Sequence, residues 1–427
     1  MLRLERFRPG RGGWLGPEVD LEVEGPSLVS VVGPNGCGKS SLMLALAGLL
    51  PYEGSARFMG RELRDFGPRE LRRLVSYVPD DPYSVMVRER VIDEVLFSAE
   101  CLGLRSEEAV NSVEWALRSV GLSEMSGERI RELSGGQVQR LALAAALVPR
   151  PRLLLLDGPL SHVDEAARQE VAQVLREVVS EGTLVVAAVS DRADLPIEPD
   201  VEVELDCERE ALSVKLQAAD PDGSRSHELV AEGVRFGYRM GREVIRGLSL
   251  AARSGTVVAL TGPNGSGKST ALKLLTGALK PWLGRVTLDG SPPSPPRAAY
   301  CPQNPSAYLT ERTAAEEIEL ASRSRTTMKF EVGPRRLLQE PVHGLSLGAR
   351  RAVAVLSAVL RRPALIALDE PAAGLDPANK RLMAEVIRSA AGTGSIVLVA
   401  SHDRHFVRSV ADEVHVLQEG SVRRVDP

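Results

Sequence analysis

Short apolar runs that stop abruptly on polar or glycine-rich stretches dominate the hydrophobic pattern of this chain. SLVSVV (27–32) and TVVAL (256–260) are β-rich runs; each is followed by a glycine-rich turn and then by a helical pattern, SLMLALAGL (41–49) or ALKLLTGAL (271–279). RLLLLD (152–157) and ALIALD (364–369) are near-continuous apolar strands ending on an aspartate, the pattern of a central parallel strand buried on both faces. No run reaches the roughly 18 to 20 uncharged apolar residues that a membrane span needs. SLMLALAGLL (41–50) and LALAAAL (141–147) are about half that length.

The pattern is written twice. GPNGCGKSS at 33 recurs as GPNGSGKST at 262, 229 positions on, and YVPDDP at 77 recurs as YCPQNP at 300, 223 positions on. LSGGQVQR at 133 recurs, degraded, as LSLGARRA at 345, 212 positions on. LLLLDGPLSHVD at 153 and VSD at 189 recur at that same spacing as LIALDEPAAGLD and SHD. The two drops in spacing place deletions in the second copy on either side of YCPQNP, so its middle region is trimmed. The boundaries read as 1–217 for the first domain, 218–227 for a Pro/Gly/Ser/Asp-rich linker, and 228–427 for the second domain.

Composition narrows the class. A chain of 427 residues, 43% hydrophobic and 26% charged, is an ordinary soluble composition too long for one core. The net charge of -4 implies no polyanion-binding surface, so nucleic acid is not expected as a partner. MLRLERFRPGRGG has no apolar signal-peptide core, which sets the expectation of a cytoplasmic chain. Cys37, Cys101, Cys207 and Cys301 are dispersed, without a C-x-x-C pair, and read as reduced thiols.

G-x-x-x-x-G-K-[ST] occurs twice in strand-to-helix context. Its glycines let consecutive backbone N–H groups curl around phosphates at a helix N-terminus. The phosphate-lining residues are Gly33, Pro34, Asn35, Gly36, Cys37, Gly38, Lys39, Ser40 and Ser41 in the first copy. In the second they are Gly262, Pro263, Asn264, Gly265, Ser266, Gly267, Lys268, Ser269 and Thr270. Lys39 and Lys268 neutralise the outer phosphates, while Ser40 and Ser269 can hold Mg2+ opposite Asp157 and Asp369.

With LSGGQ added to these motifs, the chain resembles ATP-binding cassette (ABC) ATPases over nearly its whole length. The resemblance implies an α/β fold of two tandem P-loop domains. Each has a RecA-like parallel core, an antiparallel β subdomain and a helical signature subdomain. It implies ATP and Mg2+ as cofactors and head-to-tail pairing, within one chain or between two, in which each ATP lies between one P-loop and the opposite signature. Ser134 and the amides of Gly135 and Gly136 are then donors to the γ-phosphate from across the interface, and Gln137 is a further nucleotide-binding candidate. In the second copy Glu370 matches the general base, His402 the switch histidine, and Gln303 the glutamine that senses nucleotide and joins the metal shell. The first copy has Gly158, Ser190 and Asp80 at those positions. In the second signature Leu347 replaces a glycine and Ala349 the glutamine. All intact parts therefore converge on one composite site, which hydrolyses, while the other mainly binds ATP. The family's adenine-stacking aromatic matches Tyr238; in the first copy the same spacing falls on Pro9, leaving Phe7 and Trp14 open.

The segments after each YxPxxP are similar to those of energy-coupling factor (ECF) ATPases of vitamin and metal-ion importers. That resemblance implies a peripheral subunit on the cytoplasmic membrane face, held by a transmembrane coupling protein and served by a separate substrate-binding membrane component. The alternative is a soluble tandem cassette acting on ribosomes or in DNA repair; a sugar-importer tandem ATPase is a third reading.

Overall fold

The computed structural model describes residues 1–11, 14–133, 135–158, 165–195, 197–205, 213–217, 226–239, 241–322, 329–333, 338–345 and 347–425. The chain divides into two compact units, Met1–Arg209 and Glu210–Pro427.

In the first unit the apolar runs become a wholly parallel sheet, in the order Val201–Glu204, Leu28–Val32, Leu184–Val189, Leu153–Asp157, Val75–Val78. Every residue of Leu28–Val32, Leu153–Asp157 and Leu184–Val189 is buried, as strands covered on both faces require. A separate antiparallel sheet pairs Leu2–Arg11 with Trp14–Leu15, Val19–Val23 and Tyr52–Phe58. In Val19–Val23 burial alternates strictly, so this sheet has one inner face. The helices Val91–Leu102, Ser106–Ser119 and Gly135–Leu147 pack through Val95, Ala99, Val113, Ala116, Leu117 and Leu141.

The second unit repeats this plan. Ala298–Cys301, Leu365–Asp369, Ile396–Ala400, Val257–Thr261 and Glu413–Gln418 form a parallel sheet, which Ser421–Val425 closes antiparallel. Ile245–Arg253, Glu228–Phe236 and Leu283–Leu288 make the antiparallel sheet. Its helical part is shorter, as the drops in repeat spacing require. Among the described residues, Ala314–Ser322 is followed by the strand Lys329–Gly333, two helical residues at 338–339 and a short turn at Val342–Gly344 before the helix Leu347–Leu360 begins.

One boundary differs from the sequence reading. Ser213–Gln217, assigned above to the first domain, pairs antiparallel with Lys329–Gly333 and so belongs to the second unit. Most of the expected linker, 218–225, lies outside the described residues. Cys37, Cys101 and Cys301 are free thiols, while Cys207 lies outside the described residues.

Candidate active site

In each unit the motif residues gather at the C-terminal edge of the parallel sheet, where open α/β sheets place their ligands. In the second unit Val257–Thr261 feeds the glycine-rich turn, and Gly267, at φ 103, turns the chain into the helix Lys268–Leu275. Only a residue without a side chain adopts that conformation freely, and a Cβ there would meet Ile245 Cδ1 at 3.0 Å. Lys268 Nζ donates to the carbonyls of Gly262 (2.8 Å) and Pro263 (3.1 Å), which holds the ammonium inside the loop. Lys39 does the same with Gly33 (2.6 Å) and Pro34 (2.9 Å).

Asp369 ends the strand Leu365–Asp369 and is buried. Burial raises its pKa; the Ser269 hydrogen bond opposes that, and the charge of Glu370 adds to it. Tyr300 Oη donates to Asp369 Oδ2 at 2.9 Å. The first unit has the same arrangement: Ser40 bonds Asp157, Tyr77 Oη donates to Asp157 Oδ2 at 3.3 Å, and burial raises the Asp157 pKa. A hydroxyl beside a buried, under-neutralised carboxylate is a hard oxygen set that fits Mg2+. Ser269 with Asp369, and Ser40 with Asp157, are the residues that would hold it. When bound, the ion neutralises charge on the β- and γ-phosphates.

The residue after each aspartate separates the units. Glu370 has φ 49, a left-handed backbone that is unusual for a side chain of this size. The surroundings hold it there: its N–H donates to Ala400 O at 2.8 Å, and its carboxylate accepts from Ser401 Oγ at 3.1 Å. His402 Nδ1 lies 2.9 Å from Glu370 Oε1. Burial pushes the Glu370 pKa up, but His402, Lys268 and Ser401 together outweigh it and leave it below the usual carboxylate range. Two adjacent carboxylates are thus driven apart, Asp369 upward and Glu370 downward.

Gly158 occupies the same backbone conformation at φ 56, without a side chain. Ser190, at the position of His402, donates instead to Asn35 Oδ1 at 2.6 Å and closes onto its own P-loop. The structure brings Glu370 beside His402, and Asp369 beside Ser269 at the P-loop helix. The sequence reading assigned no role to Tyr77 and Tyr300, although both stand in the quoted YVPDDP and YCPQNP segments.

The remaining candidates fall as follows. Gln303 follows the strand Ala298–Cys301, and its backbone carbonyl accepts from Arg351 Nη2 at 3.3 Å. Gly135, Gly136 and Gln137 form the first turn of the helix Gly135–Leu147. Ser134 and Ser346 lie outside the described residues. Tyr238 is exposed, with its ring edge-on to Phe236 and its hydroxyl 3.2 Å from Thr270 Oγ1, at the start of the P-loop helix. Phe7 is fully buried against Tyr52, which makes it core, and nothing is described of the Trp14 side chain.

The Glu-rich helix starts after each YxPxxP carry buried glutamates. Glu317 Oε2 accepts from the backbone N–H groups of Thr310 (2.9 Å) and Glu311 (3.1 Å), and Oε1 accepts from Ser357 Oγ at 2.9 Å. Glu94 accepts from the N–H groups of Val87 (2.8 Å) and Arg88 (2.7 Å). Each fixes the loop that leads away from the nucleotide-facing turn.

Residues 17–161 and 245–373 match the ABC transporter family. A protein of Streptomyces avermitilis named as an ABC transporter ATP-binding protein is 32% identical, with 95% of this chain and 89% of that one aligned. A Sulfurisphaera tokodaii protein of the same name is 28% identical over 95% of this chain and 93% of its own. Among solved structures, an RNase-L inhibitor aligns over 99% of this chain and 90% of its own with a TM-score of 0.56 and 22% identity. ABCE1 or Pelota, from a ribosome-bound archaeal assembly, aligns over 95% of this chain and 75% of its own with a TM-score of 0.62 and 22% identity. At that identity the two structures speak to the fold alone. No helix of the described residues is long and apolar enough to cross a membrane. With two P-loops, two strand-end aspartates and one glutamate–histidine pair already in place, the chain belongs to the ABC transporter family and is an ATPase.

Proposed function

We propose that this chain is the ATP-hydrolysing subunit of a membrane transporter, an ECF-type importer of a vitamin or metal ion, with one hydrolytic site and one that mainly holds ATP. The observation that carries the asymmetry is the Glu370–His402 contact at 2.9 Å, set against Gly158 and the Ser190–Asn35 bond at 2.6 Å in the first unit. In the hydrolytic site Lys268 binds the outer phosphates, and Ser269, Asp369 and Gln303 hold the metal. Glu370 draws a proton from the attacking water while His402 fixes its carboxylate. The intact signature, Ser134 to Gln137, supplies donors from the opposite cassette. In the other site Lys39, Ser40 and Asp157 keep ATP bound without a base to activate water. A positioned general base contributes roughly 10^2 to 10^4 in rate, so its loss at Gly158 nearly silences that site.

The transporter-named relatives and the importer-like segments after YxPxxP support a membrane-associated role, with a transmembrane coupling protein and a substrate-binding membrane component as partners. The deciding experiment is purification from native membranes and from ribosomes in parallel. Recovery with integral membrane proteins, and membrane sedimentation that depends on them, supports the proposal. Stable ribosome association without membrane partners replaces it with the soluble tandem-cassette reading.

A further inference from the structure

In the first unit the place of the missing general base is filled. A Cβ built on Gly158 would lie 2.4 Å from Asp80 Oδ1 and 3.0 Å from Asp80 Cγ, closer than packed atoms approach. Asp80 follows the strand Val75–Val78, neighbour to Leu153–Asp157 in the sheet, and stands 223 positions before Gln303. A carboxylate from the glutamine position therefore occupies the volume into which a glutamate at 158 would grow. A second observation places it near the metal-facing pair. Asp157 and Asp80 both act on the Tyr77 phenol, whose hydroxyl donates to Asp157. The second unit has a neutral amide at Gln303 and its carboxylate at Glu370. The first has a carboxylate at Asp80 and none at 158. The acidic group has not been lost but moved from one strand end to the next.

We propose that Asp80 is a metal-facing carboxylate of the first site: with Ser40 and Asp157 it surrounds the divalent cation of bound ATP, and Gly158 is the residue that admits it. This rests on the reading that the first site holds ATP. An anionic oxygen is a stronger partner for a small hard cation than the neutral amide at Gln303. The exchange therefore trades water activation for tighter retention of Mg·ATP. Gly158 and Asp80 are then one interlocked pair rather than two independent losses, and restoring glutamate at 158 alone forces Asp80 out.

The test uses the full-length chain carrying Lys268→Ala, which weakens the second site, and measures affinity for a fluorescent non-hydrolysable ATP analogue with Mg2+ and with EDTA. Asp80→Ala is expected to remove about tenfold of the Mg2+-dependent gain in affinity while leaving affinity in EDTA unchanged. Gly158→Ala, whose Cβ displaces the Asp80 carboxylate, is expected to reproduce that loss. The double variant is expected to be no worse than either single one, because both remove the same contact. Glu370 adopts this backbone with a side chain, so Gly158→Ala is compatible with folding, and Asp80→Ala tests the point without it. An unchanged Mg2+ dependence in Asp80→Ala, or additive losses in the double variant, overturns the inference. If Lys39→Ala leaves nucleotide binding unaltered, the first site holds no ATP and the underlying reading falls as well.

Discussion

His402 Nδ1 stands 2.9 Å from Glu370 Oε1, and this contact ties two strand ends of the second unit together. The contact fixes the carboxylate's direction and, together with Lys268 and Ser401, holds the Glu370 pKa down against the effect of burial. Glu370→Gln keeps the shape and removes the base. Steady-state ATP hydrolysis is expected to fall by at least roughly 10^2 while ATP binding persists. Phosphate release measured beside nucleotide binding checks this. Turnover within about twofold of the unmodified chain removes Glu370 from the role of base.

Tyr300 carries a separate prediction. Its hydroxyl donates to Asp369 Oδ2 at 2.9 Å and so orients the carboxylate that Ser269 also touches. Groups that orient a metal ligand typically alter metal affinity or activity by roughly 10- to 100-fold when removed. Tyr300→Phe is therefore expected to raise the Mg2+ concentration for half-maximal ATPase activity about tenfold, with the rate at saturating Mg2+ largely restored. A lowered maximal rate at an unchanged Mg2+ requirement would place the tyrosine in some other role.

Much of this site was legible in the sequence because its parts are local. A glycine-rich turn between a β run and a helical run, or an apolar strand ending on aspartate, is written in consecutive residues, and the repeat paired Gly158 with Glu370 by simple spacing. What escaped depends on distant residues meeting. The pairing of Ser213–Gln217 with Lys329–Gly333 joins segments more than a hundred positions apart and has no local signature. Tyr77 and Tyr300 look like ordinary strand tyrosines until the neighbouring strand delivers an aspartate to each hydroxyl. Asp80 and Gly158 read as separate degradations along the chain, and only the fold brings them into the same few ångströms.

Glu317 bears on stability. It is fully buried and anchors the N–H groups of Thr310 and Glu311 as well as Ser357 Oγ. Glu317→Ala leaves the fully buried Ser357 hydroxyl without its acceptor, which costs roughly 1 to 3 kcal/mol, and releases the two loop N–H groups as well. A loss of about 3 kcal/mol in a unit of this size lowers its melting temperature by roughly 6 to 12 °C. Calorimetry of the full chain tests this; a shift of less than about 2 °C contradicts the anchoring role.

The last prediction concerns the crossed use of the two signatures. The Glu370–His402 pair, proposed above as the hydrolytic pair, lies in the second copy, whereas the intact LSGGQ, from Leu133 to Gln137, belongs to the first. If the second P-loop uses that signature, Ser134 faces the phosphate being cleaved, and Ser346, in the degraded LSLGA, faces the retained one. Removing a donor aimed at developing charge in a water-excluded site costs roughly 2.7 to 4 kcal/mol, or 10^2 to 10^3 in rate. Ser134→Arg adds bulk and charge to that loss, so ATPase activity is expected to drop by at least roughly 10^2. Ser346→Arg is expected to weaken closure of the cassettes and leave much of the hydrolysis intact. Steady-state ATPase assays of the two full-length variants, each checked for nucleotide binding at both P-loops, discriminate the cases. Equal losses from both serines would mean that the hydrolytic site draws on both signatures. A loss confined to Ser346→Arg would mean that each P-loop works with the signature of its own copy. Only a selective loss at Ser134 fits a base in one copy working against phosphate donors from the other.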